Sequence, residues 1–571
     1  MGKKRVMVPA KELELSTVKY EKETIQAPHL MGSILKLFVR IIEIPIIGSL
    51  IISFMKKENN MVEMLQNTEI PEKPMFKPEF PPQEAEPSVV IVDEEGEPTD
   101  RVQSALKCLP HYDPASCWSG DTLPSFRYWK IRDFAYAYRS KLVTPSKIAE
   151  QIITLVEGCK YHKAPTPLLI SFDAEDIRKQ AAASTQRNLV NSNLTAVSHA
   201  GNPLSILDGI FMAIKDDIDC YPHPTKGAST WMHEVRSVEK DAVSVSRLRS
   251  CGVIFIGKAN MHEFGMGTTG NNPNYGTTRN PCAHERYTGG SSSGPAAIVA
   301  SGLCSAESTV EDVILVYAAI LGSSPEDRIS LKPSPPCLPI LSSLENVNIL
   351  GSLQLGKYTE WFNDVHSTDI SDVCEDVLNL LSKSHGCKTI EIVIPELHEM
   401  RIAHLVSIGS ESLCSLNPDI EDGKGVKLNC DTRTCMALFR TFTASDYVAA
   451  QCLRRRIMHH HMEIFKKVDV IVTPTTGMTA PKIPPGALEN GESNMQVSGY
   501  LMRFILAANL LGLPAITVPV GYDKQGLPIG LQLIGRPWGE ATILRLASAI
   551  EELCAESRRK PASFHDLLKT K

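Results

Sequence analysis

The 571 residues contain no CxxC pair and no Cys/His run with metal-ligand spacing, although 15 cysteines are present. That excludes zinc ribbons, zinc fingers and thioredoxin-like redox centres. The cysteines read as scattered reduced thiols, each a small buried apolar side chain, Cys304 included. An excess of positive charge is missing too. Lys and Arg number 59 against 65 Asp and Glu, a formal net charge of −6, which leaves no electrostatic footprint for nucleic acid. No Gly-Lys-Ser or Gly-Lys-Thr closes a glycine-rich loop, so there is no phosphate-binding P-loop. No internal repeat and no secretory leader is read, and the thiols are expected to face a reducing cytosol.

Near the N-terminus an uncharged run, Ile44 to Met55, stops at 12 residues and is broken by Pro45 and Gly48. It falls short of the ~20 residues that span a bilayer. Just upstream, Lys36, Arg40 and Glu43 recur at helical spacing on one face, with Ile34, Leu37, Phe38, Ile41 and Ile42 on the rest. Residues 1–65 are therefore read as a helical, membrane-associating segment, either an interfacial helix or a membrane-facing hairpin. The same pattern suits a helix pair packed over the core, and the two readings are compatible. Residues 66–124 are Pro- and Glu-rich and linker-like, extended and weakly ordered from Pro71 to Asp100, with a short strand at Val89–Val92.

From residue 125 onward the pattern becomes regular. Helices are predicted over Tyr128–Ser140, Pro145–Glu157, Val243–Ser250 and Glu540–Glu552. Strands are predicted over Gly209–Ile214, Val253–Gly257, Val468–Thr473 and Ile516–Val520. Such alternation argues for an α/β sheet flanked by helices. The triplet His459-His460-His461 resembles a metal motif, but consecutive helical positions do not share a face, so it reads as a solvated helical stretch.

Two segments carry candidate chemistry. The apolar run Gly209-Ile210-Phe211-Met212-Ala213-Ile214 ends at Lys215, followed by Asp216-Asp217. Far downstream lies Thr288-Gly289-Gly290-Ser291-Ser292-Ser293-Gly294. A lysine ending an apolar strand is desolvated if it points inward, which disfavours the ammonium and yields a general base. A serine hydroxyl beside it is donor and acceptor at once and can relay a proton. The flanking glycines permit positive φ and close approach to a substrate. Taken singly, a strand-end lysine is commonly a solvated charge, and GGSSSG commonly a flexible loop.

Taken together with their surroundings, these segments resemble the amidase signature family. The ordered matches are Leu207-Asp208-Gly209-Ile210 leading to Lys215, Gly257-Lys258-Ala259-Asn260-Met261-His262-Glu263-Phe264-Gly265-Met266-Gly267, Asn280-Pro281 and the GGSSSG loop. Val472-Thr473-Pro474-Thr475, Leu513-Pro514-Ala515-Ile516-Thr517-Val518-Pro519 and Gly526-Leu527-Pro528-Ile529-Gly530-Leu531-Gln532 follow. The long N-terminal extension and Tyr128-Trp129-Lys130-Ile131-Arg132-Asp133 favour the plant-type branch that acts on fatty acid amides. The resemblance implies a large mixed β-sheet flanked by helices over 125–571. It also implies a Ser–cis-Ser–Lys triad with Lys215 as base and Ser291 as bridging serine. Gly289, Gly290, Ser292, Ser293 and Gly294 would support the loop.

The serine that would attack the substrate is missing from its expected place. The family carries it in an Asp-Gly-Gly-Gly-Ser-like turn after the bridging serine. Here the chain runs Gly302-Leu303-Cys304-Ser305-Ala306-Glu307-Ser308-Thr309 into the apolar helical pattern Val313–Ala319. The domain thus reads as internally truncated after Ala306, lacking both nucleophile and oxyanion-hole donors. Ser305 and Ser308 have no glycine-rich turn, and Ser323 and Ser324 read as a helix end before Pro325. A skipped exon or gene-structure error, a natural inactive isoform and a diverged protein all fit this gap. Cavities and unpaired backbone groups left by it would each cost energy against a net stability of only ~5–15 kcal/mol, so misfolding is an expected consequence.

The resemblance implies hydrolysis of N-acylethanolamines and other fatty acid amides to fatty acid and amine, without metal or organic cofactor. The missing turn implies little or no turnover by this chain. Expected partners are a fatty acid amide, a membrane surface met through Ile34 to Met55 and a second copy in a homodimer. The expected location is peripheral, on the cytosolic face of the endoplasmic reticulum or plasma membrane. Two alternatives remain open: an inactive lipid-binding or dimerising isoform, and an amidotransferase subunit acting on aminoacyl-tRNA, which shares the signature.

Overall fold

The computed structural model describes residues 5–22, 24–118, 126–159, 167–189, 202–304, 306, 308–326, 335–342, 345–421 and 423–569. These form mixed helix and strand in two compact units, each discontinuous in sequence.

One unit comprises Met1–Ala85, Met266–Pro273 and Ile349–Ile543. Its five-stranded sheet has the order Lys388–Glu391, Gln354–Lys357, Val470–Pro474, Pro528–Gly535, Ala515–Tyr522. Gln354–Lys357 runs parallel to both of its neighbours, whereas Pro528–Gly535 is antiparallel to both of its own. Val470–Pro474 is central and wholly buried, as its continuous apolar run dictates. Its one polar side chain is satisfied internally, with Gln532 Nε2 donating to Thr473 Oγ1 at 3.0 Å. The hairpin closing the sheet turns at Asp523, whose Oδ1 accepts from the Gln525 and Leu527 amides at 2.9 and 2.8 Å, and at Gly526, φ 82°. The expected strands at 468–473 and 516–520 thus appear within a residue or two of their predicted ends.

Helix Ala444–Phe465 is started by a capping box between Thr443 and Asp446. It corrects the reading of the histidine triplet, because the helix is packed on one side rather than solvated. His460 and His461 are buried. His460 Nε2 lies 3.1 Å from Glu396 Oε2, and His461 Nδ1 is 2.9 Å from the Ile457 carbonyl. Burial pushes His461 down to about 4. Among the described residues no three metal-ligating side chains gather. Arg456, in the same helix, is 1% exposed and donates to Glu396 at 2.6 Å and Glu72 at 3.2 Å.

Gly32–Ile42 and Pro45–Glu58 form a helix pair bent by 108°. No single described helix is long and apolar enough to cross a membrane. The turn needs Gly48, since a Cβ there would sit 1.8 Å from the Ile42 carbonyl oxygen. Leu35, Val39, Ile42 and Ile52 face inward, while Ile34, Leu37, Ile46, Leu50 and Phe54 are exposed. Of the apolar residues in the amphipathic pattern, Ile42 is buried while Ile34 and Leu37 stay exposed, and Leu35 and Val39 supply the rest of the buried stripe. The Pro-rich stretch is extended but anchored: Met75 is buried, and its amide donates to the Gln451 carbonyl at 3.0 Å.

The other unit comprises Glu86–Gly265, Asn274–Asn348 and Leu544–Lys571. Its three-stranded sheet places the fully buried Ile254–Ala259 between Leu169–Ser171 and Phe211–Lys215. Phe211–Lys215 is parallel to the central strand, and helix Val243–Ser250 lies in the crossover between them. Asp208, just ahead of the sheet, accepts from Ser184 Oγ at 2.7 Å, Arg187 Nε at 2.6 Å and the Leu204 amide at 2.9 Å. Val89–Ile91 pairs with Cys337–Pro339, and Arg101, in helix Pro98–Cys108, donates to the Ala318 and Ala319 carbonyls at 3.2 and 3.1 Å. Helix Ile131–Arg139 starts later than predicted, because Asp133 caps the Lys130 amide at 2.8 Å.

The described strands do not join into the single large sheet that was expected. Among the described residues the largest sheets have five and three strands. From Ser293 to Ser352 the described residues supply helices and the short strand Cys337–Pro339, which pairs with Val89–Ile91, and none of these described residues extends either sheet.

Removing Arg456 leaves Glu396 and Glu72 with uncompensated buried charge, so Arg456→Met is expected to destabilise the protein by about 3–5 kcal/mol in urea unfolding. Burial raises Glu396, but hydrogen bonds from His460 and Arg456 outweigh it and hold the carboxyl below its ordinary 4.5. A lowered carboxyl stabilises the fold above its unfolded value and loses that contribution as pH falls through the folded value. Urea midpoints of the parent chain should therefore drop below about pH 4.5, and the drop should be smaller for Glu396→Gln.

Candidate active site

Strand alternation decides what the end of Phe211–Lys215 presents. Successive side chains point to opposite faces, so Lys215 and Asp216 separate. Asp216 turns inward and is fully buried. Its Oδ2 accepts from the Ala228 amide at 2.8 Å, and its Oδ1 lies 3.7 Å from Lys258 Nζ. Lys258 is likewise buried and donates to Thr225 Oγ1 at 2.7 Å. Burial raises Asp216 to about 6 and lowers Lys258.

Lys215 turns to the other side. Its Nζ donates to Ser291 Oγ at 3.0 Å and lies 3.2 Å from Asp217 Oδ2. The side chain is 19% exposed, so it is less withdrawn from water than the desolvated lysine expected from the apolar run. The strand ends at Lys215 itself, and the next turn brings a carboxylate to the amine.

The serine is delivered by the glycine loop. Gly289 and Gly290 have φ of 84° and 66°, values that disfavour any residue with a Cβ. The Ser291 carbonyl accepts from the His262 amide at 3.0 Å, and the Gly294 amide donates to the Asn260 carbonyl at 2.8 Å. These bonds zip the loop to the segment leaving Ile254–Ala259. Gly294 is required there, since a Cβ would fall 2.5 Å from both the nitrogen and the oxygen of Asn260. Asn260 is itself fixed, its Nδ2 donating to the Pro167 and Gly276 carbonyls at 2.9 Å. Ser293 and Gly294 open helix Ser293–Ala300, and Ser292 is its N-cap.

The cis peptide implied at the bridging serine is absent. The bonds from Gly289 to Gly294 are trans, and the cis bond among the described residues precedes Pro222. A non-proline cis bond costs about 2.5–4 kcal/mol and persists only where surrounding contacts impose it.

Of the other serines weighed, Ser305 lies outside the described residues. Ser308 Oγ donates to Asp312 Oδ2 at 3.1 Å, beside Thr309, which caps helix Val310–Ile320. Ser323 Oγ donates to Glu94 at 2.9 Å, and Ser324 Oγ accepts from the Glu326 amide at 3.3 Å. Sequence reasoning brought Lys215 and Ser291 together but assigned nothing to Asp217, although the paired Asp216-Asp217 was the visible signal. It also missed the buried Asp216–Lys258 pair, for which only the motif position of Lys258 was available.

The family model described as Amidase matches residues 172–308 and 306–544, two segments that meet at 306–308. A fatty acid amide hydrolase of Medicago truncatula is 64% identical over 615 aligned positions covering all of both chains. One of Arabidopsis thaliana is 60% identical over 617 positions, again covering all of both. Since this chain has 571 residues, about 44 of the 615 positions hold a residue only in the Medicago protein. Among solved structures, the native peptide amidase of Stenotrophomonas maltophilia is 18% identical with a TM-score of 0.59, covering 76% of this chain and 98% of its own. That likeness establishes the fold alone.

Gly294→Ala must push the loop off Asn260. It is expected to cost about 1–3 kcal/mol and to speed hydrogen–deuterium exchange across 289–294, measured by mass spectrometry against the parent chain.

Proposed function

Because this chain belongs to the amidase signature family, we propose that it is a fatty-acid-amide-hydrolase-type protein that keeps the Lys215–Ser291 relay and lacks the nucleophile the relay would serve. The reading rests on the 3.0 Å hydrogen bond from Lys215 Nζ to Ser291 Oγ, to which no third described serine adds itself. Amide hydrolysis of this kind needs a hydroxyl to form the acyl-enzyme and donors for the tetrahedral oxyanion. On this reading Lys215 would take the nucleophile's proton through Ser291. The turn that would complete the set is not in the sequence. N-acylethanolamines and related fatty acid amides are the ligands this reading assigns, with turnover slight or nil and a binding or dimerising role left to the chain.

The exposed apolar side chains of the helix pair, Ile34, Leu37, Ile46, Leu50 and Phe54, support attachment to a membrane surface. Exposed Lys36 and Arg40 alongside suit anionic headgroups. A peripheral position on the cytosolic face of the endoplasmic reticulum or plasma membrane, and assembly as a homodimer, belong to the same proposal.

Fatty acid release from an N-acylethanolamine by the purified chain is expected at least ~10³-fold below that of a fatty acid amide hydrolase relative. Release at a comparable rate would overturn the inactive reading. In co-sedimentation with anionic vesicles the chain should bind. Leu50→Glu and Phe54→Glu should each weaken binding about tenfold or more, since each buried apolar side chain contributes about 1.5–3 kcal/mol.

A further inference from the structure

We propose that Ser291 is itself a nucleophile, and that Asp217, Lys215 and Ser291 form a serine–lysine esterase centre acting on small carboxylic esters with good leaving groups. The inference stands on the geometry of these residues and not on the fatty acid amide reading. A nucleophile needs a base within hydrogen-bond reach and a third group orienting that base. Ser291 Oγ is 3.0 Å from Lys215 Nζ, which is 3.2 Å from Asp217 Oδ2. Among the described residues Lys215 donates to no other hydroxyl, so there the serine that would relay a proton is the terminal group of the chain of hydrogen bonds.

The surroundings supply what else an attacking serine requires. Ser291 sits on a turn forced by two positive-φ glycines, just ahead of helix Ser293–Ala300. The backbone N–H groups of Gly290, Ser291 and Ser292 donate to no described group and are available to an oxyanion. A Cβ at Gly289 would meet nothing within 4 Å, and one at Gly290 only the Ser292 nitrogen at 3.8 Å. The loop therefore has room for an acyl group on its open side.

In the reaction Lys215 Nζ takes the Ser291 proton while Oγ bonds to the ester carbonyl carbon. The tetrahedral oxyanion collapses, the carbon–oxygen bond to the leaving group breaks, and the departing alkoxide takes the proton from Lys215. Water then adds to the acyl-serine with Lys215 accepting its proton. Collapse releases the carboxylic acid and returns the proton to Ser291. A phenolic leaving group departs without strong acid assistance, whereas an amine does not, which makes esters rather than amides the substrate class.

The test treats the full-length purified chain with a fluorophosphonate probe and maps the adduct by peptide mass spectrometry, with 4-nitrophenyl acetate hydrolysis measured in parallel. The adduct is expected on Ser291. Ser291→Ala and Lys215→Met, each checked for a cooperative thermal transition, should lower both signals by about 10²–10⁴-fold, the range of a positioned general base. Ser308→Ala and Ser323→Ala should leave them unchanged. An adduct on another serine, or none on the folded parent chain, overturns the proposal whatever the variants do. Ester hydrolysis that survives Ser291→Ala overturns it as well.

Discussion

Parallel pairing of Phe211–Lys215 with Ile254–Ala259 is the constraint on which the candidate site depends. It fixes where Lys215 leaves the sheet and sets the inward face on which Asp216 meets Lys258. It also aims the segment beginning at Asn260 toward the glycine loop. Both strands lie in a buried sheet, so a register slip would turn the lysine to the opposite face and place its charge in the core. The 3.0 Å approach of Lys215 to Ser291, across 76 residues of sequence, is thus a consequence of sheet register and not of local preference.

A second layer of constraint is polar. Asp216 and Lys258 are both buried, a costly arrangement unless each charge is met. The Ala228 amide and Thr225 hydroxyl share that task. On the solvent side the same chemistry is cheap, and Lys215 keeps Asp217 and Ser291 as partners while remaining partly exposed. One strand end therefore carries a rigid ion pair on one face and an accessible amine on the other. The division gives a reactive group stable support without burying it.

The stretch that follows Ala306 is held by local caps and packing. Thr309 caps helix Val310–Ile320 through the Asp312 amide, and Ile131 donates to Asp312 at 2.9 Å, so the chain downstream of the junction re-enters ordered packing at once. On the proposed reading, this stretch lacks the glycine-rich turn that would carry an attacking hydroxyl. Among the described residues the amine of Lys215 donates to one hydroxyl, that of Ser291.

The sequence by itself determined whatever depends on short-range sterics and burial period. Helix Val243–Ser250 and the strands around 470 and 516 were legible because apolar spacing and turn residues report local geometry. The placement of Lys215 beside Ser291 was legible because motif order survives in the chain. Only the tertiary structure decided which of two adjacent aspartates faces the lysine, that His460 and His461 are buried, that the helix pair buries Leu35 and Val39, and that the peptide bonds around Ser291 are trans. Each of these depends on partners far away in sequence. Neighbouring residues carry no energetic information about such contacts until the chain has closed the loops between them.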